Sequence, residues 1–302
     1  MARKLQPAAR PAGRPPVAVE IAPEGVLAAA SPGAGQTAAY AFVPLGPGML
    51  TPELEAANFR SPEAIAGAIR RALDEVSPRT RAVTLILPDP LVRVFVLDFD
   101  ALPAKQADAI SVVRFRLRKT VPFDVEHAGV SYQVLTQSQT ECKVLAAVVP
   151  GPVLAEYESA VRAAGYEPGA VLSSSLAGLE AVDQMEAVMA ANLSTLAITT
   201  SIANGQDLLL YRTLDLPADP KLRFYEIQRS IAVAAAYFED KLGGRPRHLH
   251  YAGIETAAEF AQTVGDPELA VVEWVPRPDR GAMTTLPQAS YAGVAGALAG
   301  AR

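Results

Sequence analysis

The feature that most constrains this sequence is a pattern that occurs twice. Near the start, Val17-Ala18-Val19-Glu20-Ile21 alternates as a strand does, Pro23-Glu24-Gly25 turns the chain, and Val26 to Ala30 returns as a hairpin partner. Thr37 to Leu45 reads as a third strand. Ser61-Pro62-Glu63 then supplies an N-cap with proline at the first helical position. Ile65, Ile69, Leu73 and Val76 stripe one face of the helix that follows, and Pro78 ends it. Ala82 to Leu87 is almost wholly apolar, as a strand covered on both faces must be. Later, Met185 to Leu193 reads as a strand, and Leu196 to Ile202 and Gln206 to Leu214 flank Asn204-Gly205, a pair that favours a tight hairpin turn. Phe224 to Leu242 is a long helix with Ile227, Ile231, Ala234, Ala235 and Phe238 on its buried side. Gly243-Gly244 stops it, and His248 to Tyr251 is a short strand. Hairpin, helix and strand in that order build a layered α/β unit, and with 302 residues the chain has the length of one large bilobed unit or two compact domains.

Between the two copies lies a block of different character. Leu91 to Phe99 reads as a strand, Pro103 opens a helix reaching about Thr120, and Pro122-Phe123 closes it. Val130 to Leu135 and Lys143 to Val149 form a strand pair. Leu154, Tyr157, Val161 and Ala164 share a helix face that Gly165 terminates. This block, 91–171, has the size of a small inserted α/β subdomain. Ser173 or Ser174 caps a helix to about Asp183, Ala257 to Val264 is helical, Val271 to Val275 is a strand, and Ala289 to Ala301 is a helix of small residues. Residues 1–15, basic and proline-rich, read as a flexible arm that is either solvated or in transient contact with an anionic membrane surface.

Composition narrows the function classes. With 50% hydrophobic and 20% charged residues among 302, the chain has ample material for a core. A net charge of −5 argues against nucleic acid as a partner. Cys142 is the only cysteine, which excludes an internal disulfide and a multi-cysteine metal site; it reads as a small buried apolar side chain. No stretch approaches the roughly 20 apolar residues of a membrane span. The start of the chain, with Arg3, Lys4, Arg10 and Arg14 among prolines, lacks the apolar segment of a signal peptide, so the cytosol is the expected address.

Few residues suggest bond chemistry. His248 and His250 point to one strand face, but no third ligand follows at recognisable spacing, and His127 is far away in sequence. Ser173-Ser174-Ser175 is in no nucleophile-elbow pattern and reads as a cap or turn. There is no Walker loop or dinucleotide fingerprint. Asp98, Asp100, Asp215 and Asp219 stand at strand ends, where turns account for them. Arg114, Arg116, Arg118 and Lys119 concentrate positive charge at one helix end. There they either complement the helix dipole or form a docking face for an acidic partner segment or membrane surface.

Several phrases, in order, carry a resemblance. They are Phe95-Val96-Leu97-Asp98-Phe99-Asp100-Ala101-Leu102-Pro103, the helix ending Val121-Pro122-Phe123, Tyr132-Gln133-Val134-Leu135, and Ala146-Ala147-Val148-Val149. Ala164-Gly165-Tyr166-Glu167-Pro168, Ser174-Ser175-Leu176-Ala177-Gly178-Leu179-Glu180, Leu210-Tyr211-Arg212-Thr213-Leu214 and Glu226-Ile227-Gln228-Arg229-Ser230 continue it. Over about 17–300 the chain resembles the PilM family of type IV pilus assembly proteins, on the PilM and FtsA branch of the actin-like superfamily. The resemblance implies an actin-like (ribonuclease H-like) two-lobed α/β fold: a first lobe from 16–90, completed by 172–186 and 288–302, an inserted subdomain over 91–171, and a second lobe from 187–287. It also implies a cytosolic scaffold at the inner membrane that holds the N-terminal cytoplasmic tail of a PilN-like membrane protein. The resemblance is also compatible with self-association into a ring or filament, and related cytoplasmic domains serve type II secretion.

Actin-like ATPases place glycine-bearing turns around the phosphates and an acid in each to organise Mg²⁺. Here the first turn reads Glu20-Ile21-Ala22-Pro23: the acid stands, but Ala22 replaces glycine and Pro23 lacks an N–H. The second reads Asn192-Leu193-Ser194, with an amide for the acid and a Cβ at the close approach. The third, Ala252-Gly253-Ile254, keeps one glycine of two. The expectation is a degenerate cleft with no catalytic residue, no metal and no cofactor. The alternative is ATP with Mg²⁺ held by Glu20, Asn192, Ser194 and Gly253 in a slow ATPase that switches lobe closure. A sugar-kinase-like enzyme would need an intact phosphate loop, which is not found.

Overall fold

The computed structural model describes residues 13–31, 38–138, 140–182, 186–277 and 289–301. Most of the basic arm expected at 1–15, and the stretch 278–288, lie outside them.

The first hairpin forms where alternation predicts it, from β1 (Val17–Ala22) and β2 (Gly25–Ala30), with Val19 opposite Ala28. β3 (Ala39–Pro44) extends the meander. Helix α1 (Pro62–Glu75) starts at Ser61, whose hydroxyl accepts the Ala64 N–H at 3.3 Å. Ile65, Ile69 and Leu73 are fully buried against the sheet, a contribution of about 2 kcal/mol each in area removed from water. β4 (Ala82–Leu87) returns parallel to β1. Its Leu85 and Leu87 face one core and Ile86 the other, which explains the unbroken apolar run.

β5 (Arg93–Phe99), β6 (Gly129–Gln137) and β7 (Cys142–Val149) form a separate sheet in the order β5-β7-β6. Helix α2 (Gln106–Leu117) covers the face that carries buried Cys142, Val144, Ala146 and Val148. This inserted unit ends earlier than the expected boundary at 171. Helix α3 (Gly151–Ala163) buries Val153, Tyr157 and Val161 in the first lobe's core beside α1. β8 (Glu167–Ser173) is a fifth strand of the first sheet, parallel to β4. Pro168 and Gly169 mask its strand character, and the register shifts beside them, between Val83 and Thr84.

A single turn of helix, α4 (Ser174–Gly178), leads to the second lobe, where the sequence predicted a helix reaching Asp183. β9 (Ala187–Leu193), β10 (Ala197–Asn204) and β11 (Asp207–Asp215) repeat the meander, with Gly205 at φ +60° in the predicted turn. Helix α5 (Pro220–Leu242) is capped by the Asp219 carboxylate at 2.9 and 3.0 Å, and ends at Gly243 with φ +73°. β12 (His248–Gly253) runs parallel to β9, α6 (Ala257–Val264) follows, and β13 (Ala270–Glu273) closes the sheet. The two large sheets have the same order, β3-β2-β1-β4-β8 and β11-β10-β9-β12-β13.

The chain then returns as α7 (Ala292–Ala299) to lie on α4 and β1. A Cβ at Gly296 would strike the carbonyl of Ala177, and one at Gly293 would meet Glu20 Oε2. The absence of side chains there sets how closely this helix seals the floor between the lobes. Gly296→Ala is expected to lower the unfolding free energy by about 1–3 kcal/mol in urea titrations, since neither backbone can yield without the other. No change would mean the contact is looser than drawn.

Candidate functional site

Glu20, Asn192 and Ser194 line the gap where the β1–β2 and β9–β10 turns face each other, with Gly253 one residue before Ile254 at its wall. Glu20 projects from β1 into the closed layer between the lobes and is buried. Burial pushes its carboxyl up to about 8, with Asp89 and Glu24 adding to the rise and a Ser174 hydrogen bond opposing it. Its Oε2 has no hydrogen-bond partner among the described residues. Asn192 Nδ2 donates to Ser174 Oγ at 3.0 Å, Ser175 Oγ at 3.2 Å and, at 3.4 Å, Asp89 Oδ2. Ser194 closes its own turn, accepting the Ala197 N–H at 3.0 Å and donating to the Ala197 carbonyl at 3.2 Å. Gly253 is there for strand packing: a Cβ would lie 2.7 Å from the Leu193 carbonyl oxygen.

The mouth of the gap is bridged as well. The Glu24 carboxylate accepts the Thr195 N–H at 2.6 Å, joining the two turns directly. Arg223 of α5 donates to the carbonyls of Thr195 at 2.6 Å and Ser194 at 2.9 Å. What remains between the turns is a cavity of about 40 Å³, space for a water or two. Among the described residues no group of three His, Cys, Asp or Glu side chains is arranged to hold a metal; His248 and His250 share a strand, with His250 half-buried.

Behind the turns sits a buried clasp that sequence reasoning missed. Asp89 follows β4 in a short turn of 3₁₀-helix. Its Oδ1 accepts the Ser175 N–H at 2.9 Å and the Tyr211 hydroxyl at 2.9 Å, and its Oδ2 accepts the Ser175 hydroxyl. The Tyr211 hydroxyl also lies 3.3 Å from Ser173 Oγ. Burial raises the Tyr211 phenol well above its ordinary value, so it stays a neutral donor. Asp89 belongs to the first lobe, Ser173 to Ser175 to its last strand and connector, and Asn192 and Tyr211 to the second lobe. The clasp therefore spans the lobes. The serines read as caps from sequence thus act as its hub.

Of the four basic residues singled out at the end of α2, two are spent inside the inserted unit. Arg114 donates to the carbonyls of Val125, Glu126 and Ala128, and Arg118 pairs with Glu126 while lying over the Phe115 ring. Arg116 and Lys119 are exposed.

A groove of about 630 Å³ opens on the other face of the insert's sheet, away from α2. Its walls come from three places: β6 and β7, β8 with α4, and the β10–β11 turn of the second lobe. Leu135, Leu145, Leu154, Leu176 and Leu208 make it apolar, and the Arg14–Glu180 pair, at 2.6 Å, stands at its rim. β6 is an edge strand of its sheet, so one row of main-chain groups beside the groove has no strand neighbour among the described residues.

Two equivalent five-stranded sheets, each a meander continued by parallel strands, facing each other across a cleft define the actin-like class of fold. No protein-family model matches the sequence, and no curated protein matches it. Among solved structures, the fold is similar to a chain of the PilM–PilN type IV pilus biogenesis complex, with a TM-score of 0.74 and 19% identity over 95% of this chain and 98% of that one. It is also similar to the cytoplasmic domain of EpsL, an inner-membrane component of the type II secretion system of Vibrio cholerae, with a TM-score of 0.50 and 14% identity over 87% and 89% of the two chains. The fold is thus the two-lobed actin-like one, in the form seen in the pilus complex. No described helix is long and apolar enough to cross a membrane.

Proposed function

We propose that this chain is a PilM-like adaptor of a type IV pilus or related type II secretion machine. It acts on the cytoplasmic face of the inner membrane and holds the N-terminal tail of a PilN-like membrane protein in the groove beside β6. The observation that carries this reading is the groove itself: an apolar channel next to an unpaired sheet edge accepts an extended segment, with main-chain hydrogen bonds for affinity and the leucine pockets for specificity. The likeness to a chain whose structure was solved as a complex with PilN supports the choice of occupant. A fluorescent peptide copying the N-terminal cytoplasmic tail of a PilN-like membrane protein from the same organism is expected to bind with low-micromolar affinity in anisotropy titrations. Absence of saturable binding would overturn the proposal.

The cleft, in this reading, carries no nucleotide. Glu20 buried as a neutral acid, Pro23 without an N–H, Asn192 committed to serines and a 40 Å³ gap all argue against a triphosphate with its metal. The second reading, a slow ATPase, rests on Glu20, which keeps the acid of the first turn. Calorimetric titration separates them: no heat of Mg-ATP binding is expected, whereas micromolar binding lost in Glu20→Ala would establish the second.

A further inference from the structure

The groove and the clasp share a residue. Ser173 lines the groove and lies 3.3 Å from the Tyr211 hydroxyl, which in turn donates to Asp89 at 2.9 Å. Tyr211 stands on β11, a few residues beyond the turn whose Gln206, Asp207 and Leu208 form the groove's third wall. β10 and β11 pair antiparallel on both sides of a bulge between Ile202 and Ala203, with Ser201 opposite Tyr211 and Asn204 opposite Asp207. A displacement of Tyr211 from Asp89 is passed to the hairpin tip through the main-chain pairing that resumes beyond the bulge, since a packed core has discrete arrangements.

Resting on the adaptor reading above, we propose that the second lobe is the third jaw of the groove and that the Asp89–Tyr211–Ser173 clasp sets its grip, so that filling the groove and closing the lobes are one coupled event. The bias on closure comes from a peptide seated at the side, acting through Ser173 and the β10–β11 tip. The coupling is reciprocal: whatever loosens the clasp weakens the tail, and the tail tightens the clasp.

The test uses the full chain and the same tail peptide, with hydrogen exchange of the segment 203–208 as the second readout. In the free protein, Tyr211→Phe, which removes one hydroxyl and keeps the ring, is expected to speed exchange at 203–208 by about tenfold. The same variant is expected to weaken the tail by about tenfold, within the usual range of coupling between sites. Ser173→Ala provides an independent break in the chain of contacts and is expected to act in the same direction. In the wild type, the bound tail is expected to slow exchange at 203–208. A tail that binds the wild type while leaving 203–208 unprotected, or that binds Tyr211→Phe and Ser173→Ala as tightly as the wild type, would overturn the coupling and leave the adaptor reading intact. Failure of the tail to bind the wild type would remove both.

Discussion

Glu20→Gln should make the protein more stable at neutral pH, by about 3 kcal/mol at pH 7. The folded carboxyl is pushed up to about 8 from an ordinary 4.5 by burial, with Asp89 and Glu24 nearby. Between those two values the folded chain holds a proton that the unfolded chain has released. Stability therefore falls as pH rises from about 4.5 to about 8, and the loss is complete above that. Glutamine keeps the shape and the Ser174 contact without this cost. Urea unfolding of the wild type at pH 5, 7 and 9 should show the decline, and the variant should be flat across the window. A variant less stable than the wild type at pH 7 would mean that the ionised carboxylate has a partner, and the cleft would need to be redrawn around it.

The second large effect concerns binding. Leu135 lies half-exposed on β6 and lines the groove, so Leu135→Glu places a charge in a groove also lined by Leu145 and Leu154 without opening a core. Tail affinity is expected to fall on the order of a hundredfold, the scale of losing a central apolar anchor and gaining an unpaired charge. Arg116→Glu, on the exposed side of α2, should change affinity by less than about threefold, because it lies across the insert's sheet from the groove. The reverse ranking would move the docking face to α2, one of the two readings that its cluster of positive charge allows.

That contrast shows what a sequence carries and what it does not. The stripe Ile65-Ile69-Leu73, the Asn204-Gly205 turn and the proline and serine at the start of α1 are local signals, and the elements form where those signals stand. β8 was not legible as a strand, because Pro168 and Gly169 contradict strand propensity and the pairing with β4 overrides them. Asp89 sits between two prolines and reads as a turn residue; its partners lie 86, 103 and 122 positions away, so only closure of the lobes gives it a role. The departures at Ala22, Pro23, Asn192 and Ser194 were visible as letters, but the contacts that Asn192 and Ser194 make with Ser174, Ser175 and Ala197 were not. The groove was invisible for a related reason, since its leucines come from three units that meet only in the folded chain. Positive charge, by contrast, is conspicuous in a sequence, and Arg114 and Arg118 turn out to hold a loop.

The account comes down to lobes joined by their own side chains and a partner held at the side. Calorimetric titration of the tail peptide into the purified chain, with and without saturating Mg-ATP, addresses it most directly. The account predicts the same low-micromolar affinity and the same heat in both titrations. Tail binding that appears only when Mg-ATP is present would contradict it.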